Sequence, residues 1–185
     1  GIVIDIDNRP LYSVNDSSVP CLTYQGWDPI LCPDPVSCAL NCAADGFTRD
    51  QYENIYGGTT NGTQLRLAYL TESPQGTNIG SRTYLIGSNE EYRIFYLKNK
   101  EITVDIDNSA LQCGMDSGLY FLEMERDGGM NSYPTNRAGA NYGTGYCDAQ
   151  CFHYMRFLGG EANIAGEGSE VGACCVEMDV WEGNK

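Results

Sequence analysis

Alternation between apolar and polar positions is clearest near the end of the chain, in residues 174–184. Successive side chains of a β-strand point to opposite faces, so a period of two predicts a strand. One predicted face carries Glu177, Asp179 and Trp181. The other carries Val176, Met178 and Val180. The second set suits a hydrophobic core. Two acids and an indole suit the floor of a cleft for a neutral, ring-shaped ligand such as a sugar. A salt-bridged surface strand is the competing interpretation.

Glu182 lies five positions after Glu177, so an unbroken strand would point it towards the core, where an isolated carboxylate is costly. A β-bulge, or a turn at Gly183, would re-aim it, and bulges are common beside active sites. Glu177, Asp179 and Glu182 would then line one cleft. Five regular strand steps span about 16 Å, and a bulge would shorten that span. Retaining glycosidases need carboxyl groups about 5–5.5 Å apart and inverting ones about 6.5–9.5 Å, so the spacing leaves both mechanisms open.

Short apolar runs separated by turn residues recur through the rest of the chain, which indicates a β-sandwich or barrel. The predicted strands are 2–7, 64–70, 82–86, 92–97, 102–107 and 118–124. Residues 152–158 predict one short helix, and residues 131–145, rich in Gly, Asn and Tyr, predict a loop that lines the cleft. His153, the only histidine, has no serine or cysteine triad pattern around it and is expected to pack or lie at the surface.

The charge balance excludes whole classes of partner. The 185 residues carry 11 Lys and Arg against 25 Asp and Glu, a formal net charge of −14. Nucleic acids and anionic membranes both require basic patches, so neither is an expected partner. No apolar run reaches the length of a membrane span. The start at Gly1, directly on a predicted strand, leads us to expect that residues precede it in the natural protein.

Nine cysteines in so short a chain indicate an oxidising compartment, and hence a secreted, extracellular protein. Metal binding is the alternative for the spacing of Cys32, Cys38 and Cys42, but paired histidines are missing around them. The repeated acidic motifs at 5–8 and 105–108 lack the later glycine and glutamate of a calcium loop. The sequence therefore predicts no metal and no cofactor. Asn15 and Asn61 each begin an N-glycosylation pattern.

Four blocks, in one order along the chain, resemble the fungal and protist cellulases of glycoside hydrolase family 7. They are residues 31–42, 104–121, 133–151 and 174–184. The resemblance implies an all-β, jelly-roll β-sandwich of the concanavalin-like type, and hydrolysis of β-1,4-glucan such as cellulose with retention. It also implies that Glu177 is the nucleophile, Glu182 the general acid/base, and Asp179 the group that orients the nucleophile. Residues 1–185 are then expected to be part of one catalytic domain, truncated at both ends.

The resemblance also assigns the substrate cleft and the disulfides. The implied substrate-binding residues are Arg82, Tyr120, Tyr146, Asp148, Gln150 and Trp181. The implied disulfides are Cys21–Cys42, Cys32–Cys38, Cys147–Cys175 and Cys151–Cys174. Cys113 is left over, and the family pairs it with a cysteine beyond Lys185. Asp116 replaces an asparagine that is usual at a cleft position.

Endo-acting and exo-acting members of the family differ at a few positions. Asn8 and Pro10 stand where processive members carry entrance tryptophans, the segment 166–173 is short, and Gly183 resembles the endo-acting branch. Residues 133–136 and Trp181 resemble the exo-acting branch. An open-cleft endoglucanase is therefore favoured over a cellobiohydrolase. A non-catalytic glucan-binding sandwich and a retaining glucanase acting on mixed-linkage glucan are two further candidates.

Overall fold

The computed structural model describes residues 1–184, which form short antiparallel ladders joined by long irregular segments. Strands far outnumber helices, so the predicted all-β class is confirmed. The strands are β1 (Ile2–Ile4), β2 (Leu11–Ser13), β3 (Asp16–Pro20), β4 (Leu22–Thr23), β5 (Gly26–Trp27), β6 (Cys42–Ala44), β7 (Gly58–Asn61), β8 (Gln64–Leu67), β9 (Leu70–Ser73), β10 (Gly76–Ile79), β11 (Thr83–Leu85), β12 (Ser117–Leu122), β13 (Phe157–Leu158), β14 (Glu161–Ala162) and β15 (Glu177–Gly183).

The ladders bring distant parts of the chain together. β1 pairs with β11, β12 pairs with β15, and β3, β2 and β6 form a three-stranded sheet in that order. The remaining pairs are local hairpins: β4–β5, β7–β8, β9–β10 and β13–β14. The β1–β11 pairing places Asp5, just after β1, beside Arg82, just before β11, and their backbones share a hydrogen bond of 3.0 Å.

Both α-helices are short and are capped by side chains. α1 (Pro35–Asn41) begins after Asp34, whose carboxylate accepts from the Ser37 N–H at 2.8 Å, and this bond lowers the pKa of Asp34. α2 (Arg49–Asn54) begins with a reciprocal capping box between Thr48 and Gln51. Single 3₁₀ turns occupy Ile6–Asn8, Ala140–Tyr142 and Gly166–Gly168.

Four of the predicted strands are present with altered bounds, among them 82–86, which is shortened to β11 (Thr83–Leu85). β1 stops at Ile4 because Asp5 caps the following 3₁₀ turn through the Asp7 N–H. The predicted strand 64–70 ends as β8 at Leu67: Ala68 still donates its N–H to Gly57, directly before β7, but Gly57 has a left-handed φ of +68° and the ladder stops there, and Leu70 begins β9. β12 starts one residue earlier and ends two residues earlier than predicted.

Two predicted strands and the predicted helix are wrong. Among the described residues, 92–97 make only a single bridge from Tyr92 to Ile86 and one hydrogen bond from the Arg93 N–H to Leu85 of β11, and 102–107 have no ladder partner, so both segments stay irregular. Residues 152–158 are not helical, because their backbone donors are used elsewhere: the Phe152 N–H donates to Asp148 and the Arg156 N–H to Asp7. Phe157 and Leu158 instead form β13.

Four disulfides hold the irregular segments in place. They are Cys21–Cys42, Cys32–Cys38, Cys147–Cys175 and Cys151–Cys174, and each of the four predicted pairs is confirmed. The sulfurs of Cys32, Cys38 and Cys42 lie close enough to hold a metal ion, but all three are engaged in disulfides. Cys113 is exposed and unpaired within the described residues, so its pairing beyond Lys185 stays a prediction.

Candidate active site

The ladder between β12 and β15 decides which side chains of the acidic strand share a face. Tyr120 lies opposite Asp179 and Leu119 opposite Trp181, so Val180 has no partner and forms a β-bulge. Residues opposite each other in an antiparallel ladder point to the same face. Glu177, Asp179 and Glu182, which face Leu122, Tyr120 and Gly118, are therefore on one face. The predicted bulge is confirmed and lies at Val180.

The bulge also shortens the distance between the two glutamates along the sheet. Glu177 and Glu182 are five residues apart, but their partners Leu122 and Gly118 are only four apart. Four strand steps correspond to about 13 Å, compared with about 16 Å for five. A regular strand would have buried the carboxylate of Glu182 in the core. This does not occur, because Glu182 is exposed on the same face as Glu177.

Trp181 and the apolar residues of this strand differ from the prediction. The bulge turns Trp181 away from the acids, onto the face that holds Leu119 and Met178. Phe95 packs on Phe121 of that face, but Val176, Met178 and Val180 are 68%, 46% and 37% exposed within the described residues. Their predicted place in a core is therefore wrong for the part of the chain that the structure describes. The alternation marked two faces correctly but did not show what packs against them.

Glu177 is held by a turn that two disulfides fasten to the start of its own strand. Its Oε2 accepts a hydrogen bond of 2.9 Å from the backbone N–H of Ala149. The turn lies between Cys147 and Cys151, which are bonded to Cys175 and Cys174, directly before β15. Such an N–H donor fixes the orientation of the carboxylate.

A buried aromatic and acidic pair supports this turn from below. The Tyr146 hydroxyl donates to Asp148 Oδ2 at 2.8 Å, and Asp148 Oδ1 accepts from the Phe152 N–H at 3.1 Å. The Asp148 backbone bonds both Ala173 and Cys175, at 3.1 and 2.9 Å. Burial, reinforced by the bond to Asp148, raises the pKa of the Tyr146 hydroxyl well above its usual range, so the phenol stays a donor at neutral pH.

Arg82 lies under this pair, where its charge is compensated by other protein groups. Its guanidinium carbon is 3.5 Å from the centre of the Tyr146 ring, a cation–π contact, and its side chain is 23% exposed. Burial alone would lower the pKa of Arg82. The stronger opposite effect comes from Asp5, Tyr84 and Tyr146, and the pKa of Arg82 is therefore raised above its usual value. The guanidinium is thus a fixed positive charge within the floor of the site.

Tyr120 and Gln150 complete the set of predicted cleft residues. Tyr120 shares the acidic face, and burial raises the pKa of its hydroxyl, opposed by Arg82 and Tyr146 and assisted by the Glu177 charge. Gln150 is exposed in the turn directly after Ala149. The structure therefore brings the three acids together with Tyr120, Tyr146, Asp148, Arg82 and Gln150. Trp181 lies on the opposite face of the strand.

Sequence reasoning missed the N–H of Ala149 and the buried Asp5. Backbone donors have no side-chain signature, so Ala149 had no signal of its own. Asp5 is fully buried and bonded to Arg82, yet in the sequence it is one acid of an alternating apolar and acidic run. The only signal in the sequence was that Asp5, a charged residue, follows directly on an apolar segment that was predicted to be a strand.

A cavity of about 680 Å³ adjoins the site but does not contain the acids. Tyr146, Cys174 and Cys175 form part of its wall, together with Tyr133 and Arg137. Glu177, Asp179 and Glu182 are not among its lining residues; Glu177 is half-buried, and Asp179 and Glu182 are exposed. Among the described helices, none has the length and apolar content needed to cross a membrane.

Comparisons with known proteins agree on one family. The sequence profile of glycosyl hydrolase family 7 matches residues 1–185. Exoglucanase GH7B of Limnoria quadripunctata is 45% identical over 194 residues, which cover 99% of this chain and 43% of that protein. The chain therefore belongs to glycosyl hydrolase family 7, and it spans less than half the length of the curated relative.

Solved structures of the same family superpose closely on the chain. A family 7 cellobiohydrolase from Daphnia pulex has a TM-score of 0.90 at 42% identity, covering 100% of this chain and 44% of that one. The Humicola insolens endocellulase EGI has a TM-score of 0.78 at 40% identity, covering 99% and 44%. The predicted family and the jelly-roll β-sandwich class are thus confirmed.

Proposed function

We propose that this family 7 chain carries the catalytic strand of a cellulase that hydrolyses β-1,4-glucosidic bonds with retention. The observation that supports this most directly is the shared face of Glu177, Asp179 and Glu182 on β15, which exists because Val180 is a bulge. The similar proteins are an exoglucanase, a cellobiohydrolase and an endocellulase, so cellulose or another β-1,4-glucan is the proposed substrate. The exposed surface of this face suits an extended polymer.

The proposed reaction is a double displacement. Glu177 attacks the anomeric carbon while protonated Glu182 donates its proton to the departing glycosidic oxygen. Water then attacks the glycosyl-enzyme, and Glu182 removes a proton from that water. The Ala149 N–H holds Oε2 of Glu177, so Oε1 is the oxygen free to attack. Asp179, two residues on and on the same face, is proposed to orient Glu177.

The floor beside the acids is proposed to bind the sugar rings. Tyr120 offers an aromatic face and a hydroxyl group, a combination suited to stacking and hydrogen bonding with a pyranose. Tyr146 is buried with its hydroxyl bonded to Asp148, and it supports this floor from beneath. Gln150 is exposed beside the turn that touches Glu177 and has amide groups to offer to sugar hydroxyls. No metal or cofactor takes part in this scheme.

The endo-acting mode is the more specific proposal. Asn8 and Pro10 stand where processive members of the family carry entrance tryptophans, and Gly183 resembles the endo-acting branch. A cellobiohydrolase is the second candidate, because the cellobiohydrolase structure superposes with the higher TM-score, 0.90 against 0.78. Both modes use the same three acids, so they differ in how the polymer enters and not in the chemistry.

Viscosity of carboxymethylcellulose, followed together with released reducing sugar, tests these proposals on the full-length protein. An endo-acting enzyme lowers the viscosity early, and Glu177→Gln abolishes this effect. Reducing sugar with little loss of viscosity would favour the cellobiohydrolase. Glu53→Gln is the matched control, because Glu53 is an exposed glutamate on α2 outside the site. Hydrolysis that persists in Glu177→Gln would refute the nucleophile assignment.

A non-catalytic glucan-binding sandwich and a mixed-linkage glucanase would each give a distinct outcome in the same assay. Binding of cellulose without any turnover would favour the glucan-binding sandwich. Faster release of sugar from a mixed-linkage glucan than from cellulose would favour the mixed-linkage glucanase.

We also propose that the protein is secreted, because four disulfides form only where thiols are oxidised.

A further inference from the structure

Asp5 is a buried carboxylate whose two oxygens are both occupied. It is 0% exposed, and its Oδ1 accepts from the Asp7 N–H at 2.7 Å. Its Oδ2 accepts from Arg82 at 3.0 Å through both Nε and Nη2, and from the Tyr84 hydroxyl. A buried carboxylate is stable only when it is paired in this way. Asp5 therefore fixes the guanidinium of Arg82 at two nitrogens.

Arg82 passes this constraint to the floor of the site. Two-point fixation sets the plane of the guanidinium, whose central carbon lies 3.5 Å from the centre of the Tyr146 ring. Tyr146 in turn donates to Asp148, whose backbone is bonded on both sides to the segment before β15. The next residue, Ala149, donates its N–H to Glu177. An unbroken series of contacts thus leads from Asp5 to the proposed nucleophile.

We propose that Asp5 is a positioning residue for this site, acting through Arg82 and Tyr146 on the turn that orients Glu177. This inference rests on the proposed function. It gives Arg82 a role different from the predicted contact with substrate, since its Nε and Nη2 are bonded to Asp5 and its face covers Tyr146. Asp5 does not touch the three acids, so it acts on them through Arg82 and Tyr146.

The first test is Asp5→Asn in the full-length protein, which keeps the shape of the side chain but removes its charge. Displacement of a reacting group by about 1 Å costs on the order of 100-fold in rate, so we expect kcat to fall by roughly 10- to 100-fold. KM should change less than about twofold, because the sugar-binding surface itself is retained. Glu91→Gln makes the same chemical change in the partly exposed pair of Glu91 with Arg126, 3.7 Å apart, and should leave both constants unchanged.

Arg82→Lys is the second variant, needed because Asp5→Asn leaves Arg82 without its buried partner and a loss of folding would mask any effect on the site. Lysine keeps a positive charge for Asp5 but has no planar face to place under Tyr146. We expect a similar loss of kcat with cooperative unfolding preserved. Circular dichroism gives the folded fraction of each variant, so that kcat can be expressed per folded molecule. If both variants retain this kcat, Asp5 contributes to stability only and the inference is wrong.

Hydrogen exchange of the peptide that contains Ala149 tests the coupling without using activity. The Ala149 amide is protected by its bond to Glu177, so Asp5→Asn and Arg82→Lys should speed its exchange, while Glu91→Gln should not. Unchanged exchange in both site variants would overturn the inference. A wild-type protein with no glucan hydrolysis would refute the proposed function, but the exchange result would still show whether Asp5 positions the turn.

Discussion

Removal of the two disulfides around the Ala149 turn, first singly and then together, tests how this part of the site is stabilised. The bridges are nested: Cys151–Cys174 lies within the loop that Cys147–Cys175 closes. Three variants are needed in the full-length protein, with alanine replacing both cysteines of the outer bridge, both of the inner bridge, or all four. Because the loops share most of their residues, the three losses of stability are not expected to add.

The expected losses follow from loop-closure entropy. Closing the outer loop, with a separation of 28 residues, is worth about 3.6 kcal/mol, and closing the inner loop, with a separation of 23, about 3.4 kcal/mol. Once one bridge exists, the other closes a ring of only about five residue steps, worth roughly 2 kcal/mol. Either single removal should therefore cost about 2 kcal/mol, and removal of both about 5.5 kcal/mol.

Urea unfolding of the three variants measures these free energies, provided that each variant unfolds in a single transition. The double removal should exceed the sum of the single removals by roughly 1.5 kcal/mol. Single losses near about 3.5 kcal/mol each, or a double loss equal to the sum of the two single losses, would refute the nested-loop reasoning. Either result would mean that native contacts or residual structure in the unfolded chain decide the stability, and not chain entropy.

Three further predictions concern other parts of the fold. Burial and the charge of Asp5 raise the pKa of Asp7 from 3.8 to about 6. The folded state therefore binds this proton more tightly than the unfolded chain, and the free energy of unfolding falls as the pH rises from about 4 to about 6, by at most roughly 3 kcal/mol. Asp7→Asn should remove this pH dependence of the free energy of unfolding measured in urea. Gly143 has φ +78°, and a Cβ there would meet the Ile4 carbonyl, so Gly143→Ala should cost about 2 kcal/mol or more in the same unfolding assay. Asn61 is exposed at the β7–β8 turn, so after passage through a eukaryotic secretory pathway mass spectrometry should find a glycan there, lost in Thr63→Ala and kept in Thr63→Ser.

The sequence predicted the acidic residues and the bulge of β15 more accurately than the residues that surround this strand. Alternation predicted the strand, and the odd spacing of Glu177 and Glu182 predicted a bulge, because no regular strand places both on one face. The position of the bulge was not predictable, since it depends on which residue of β12 lies opposite. Trp181 shows the consequence: its face depends on a register that only the partner strand defines.

Long-range pairing explains the remaining differences. Residues 102–107 alternate like a strand, but alternation describes a surface that fits a sheet and does not supply the neighbour whose hydrogen bonds make one. The segment 152–158 has a composition compatible with a helix, yet Asp7, nearly 150 residues earlier, takes the Arg156 N–H. The role of Asp5 likewise depends on the pairing of β1 with β11, a contact across about 80 residues.

The bulge at Val180 also makes β15 tolerant of a change in length. Removal of Val180 would give a regular strand in which every other side chain keeps its present face, so the two glutamates would still point the same way. Removal of Met178, in contrast, would turn Glu177 away from Asp179. A strand one residue shorter at Val180 therefore encodes the same facing of the acids, so insertion or loss of one residue there keeps all three on one face. An alignment that forbids gaps within strands would place Glu182 opposite the wrong residue in a shorter relative.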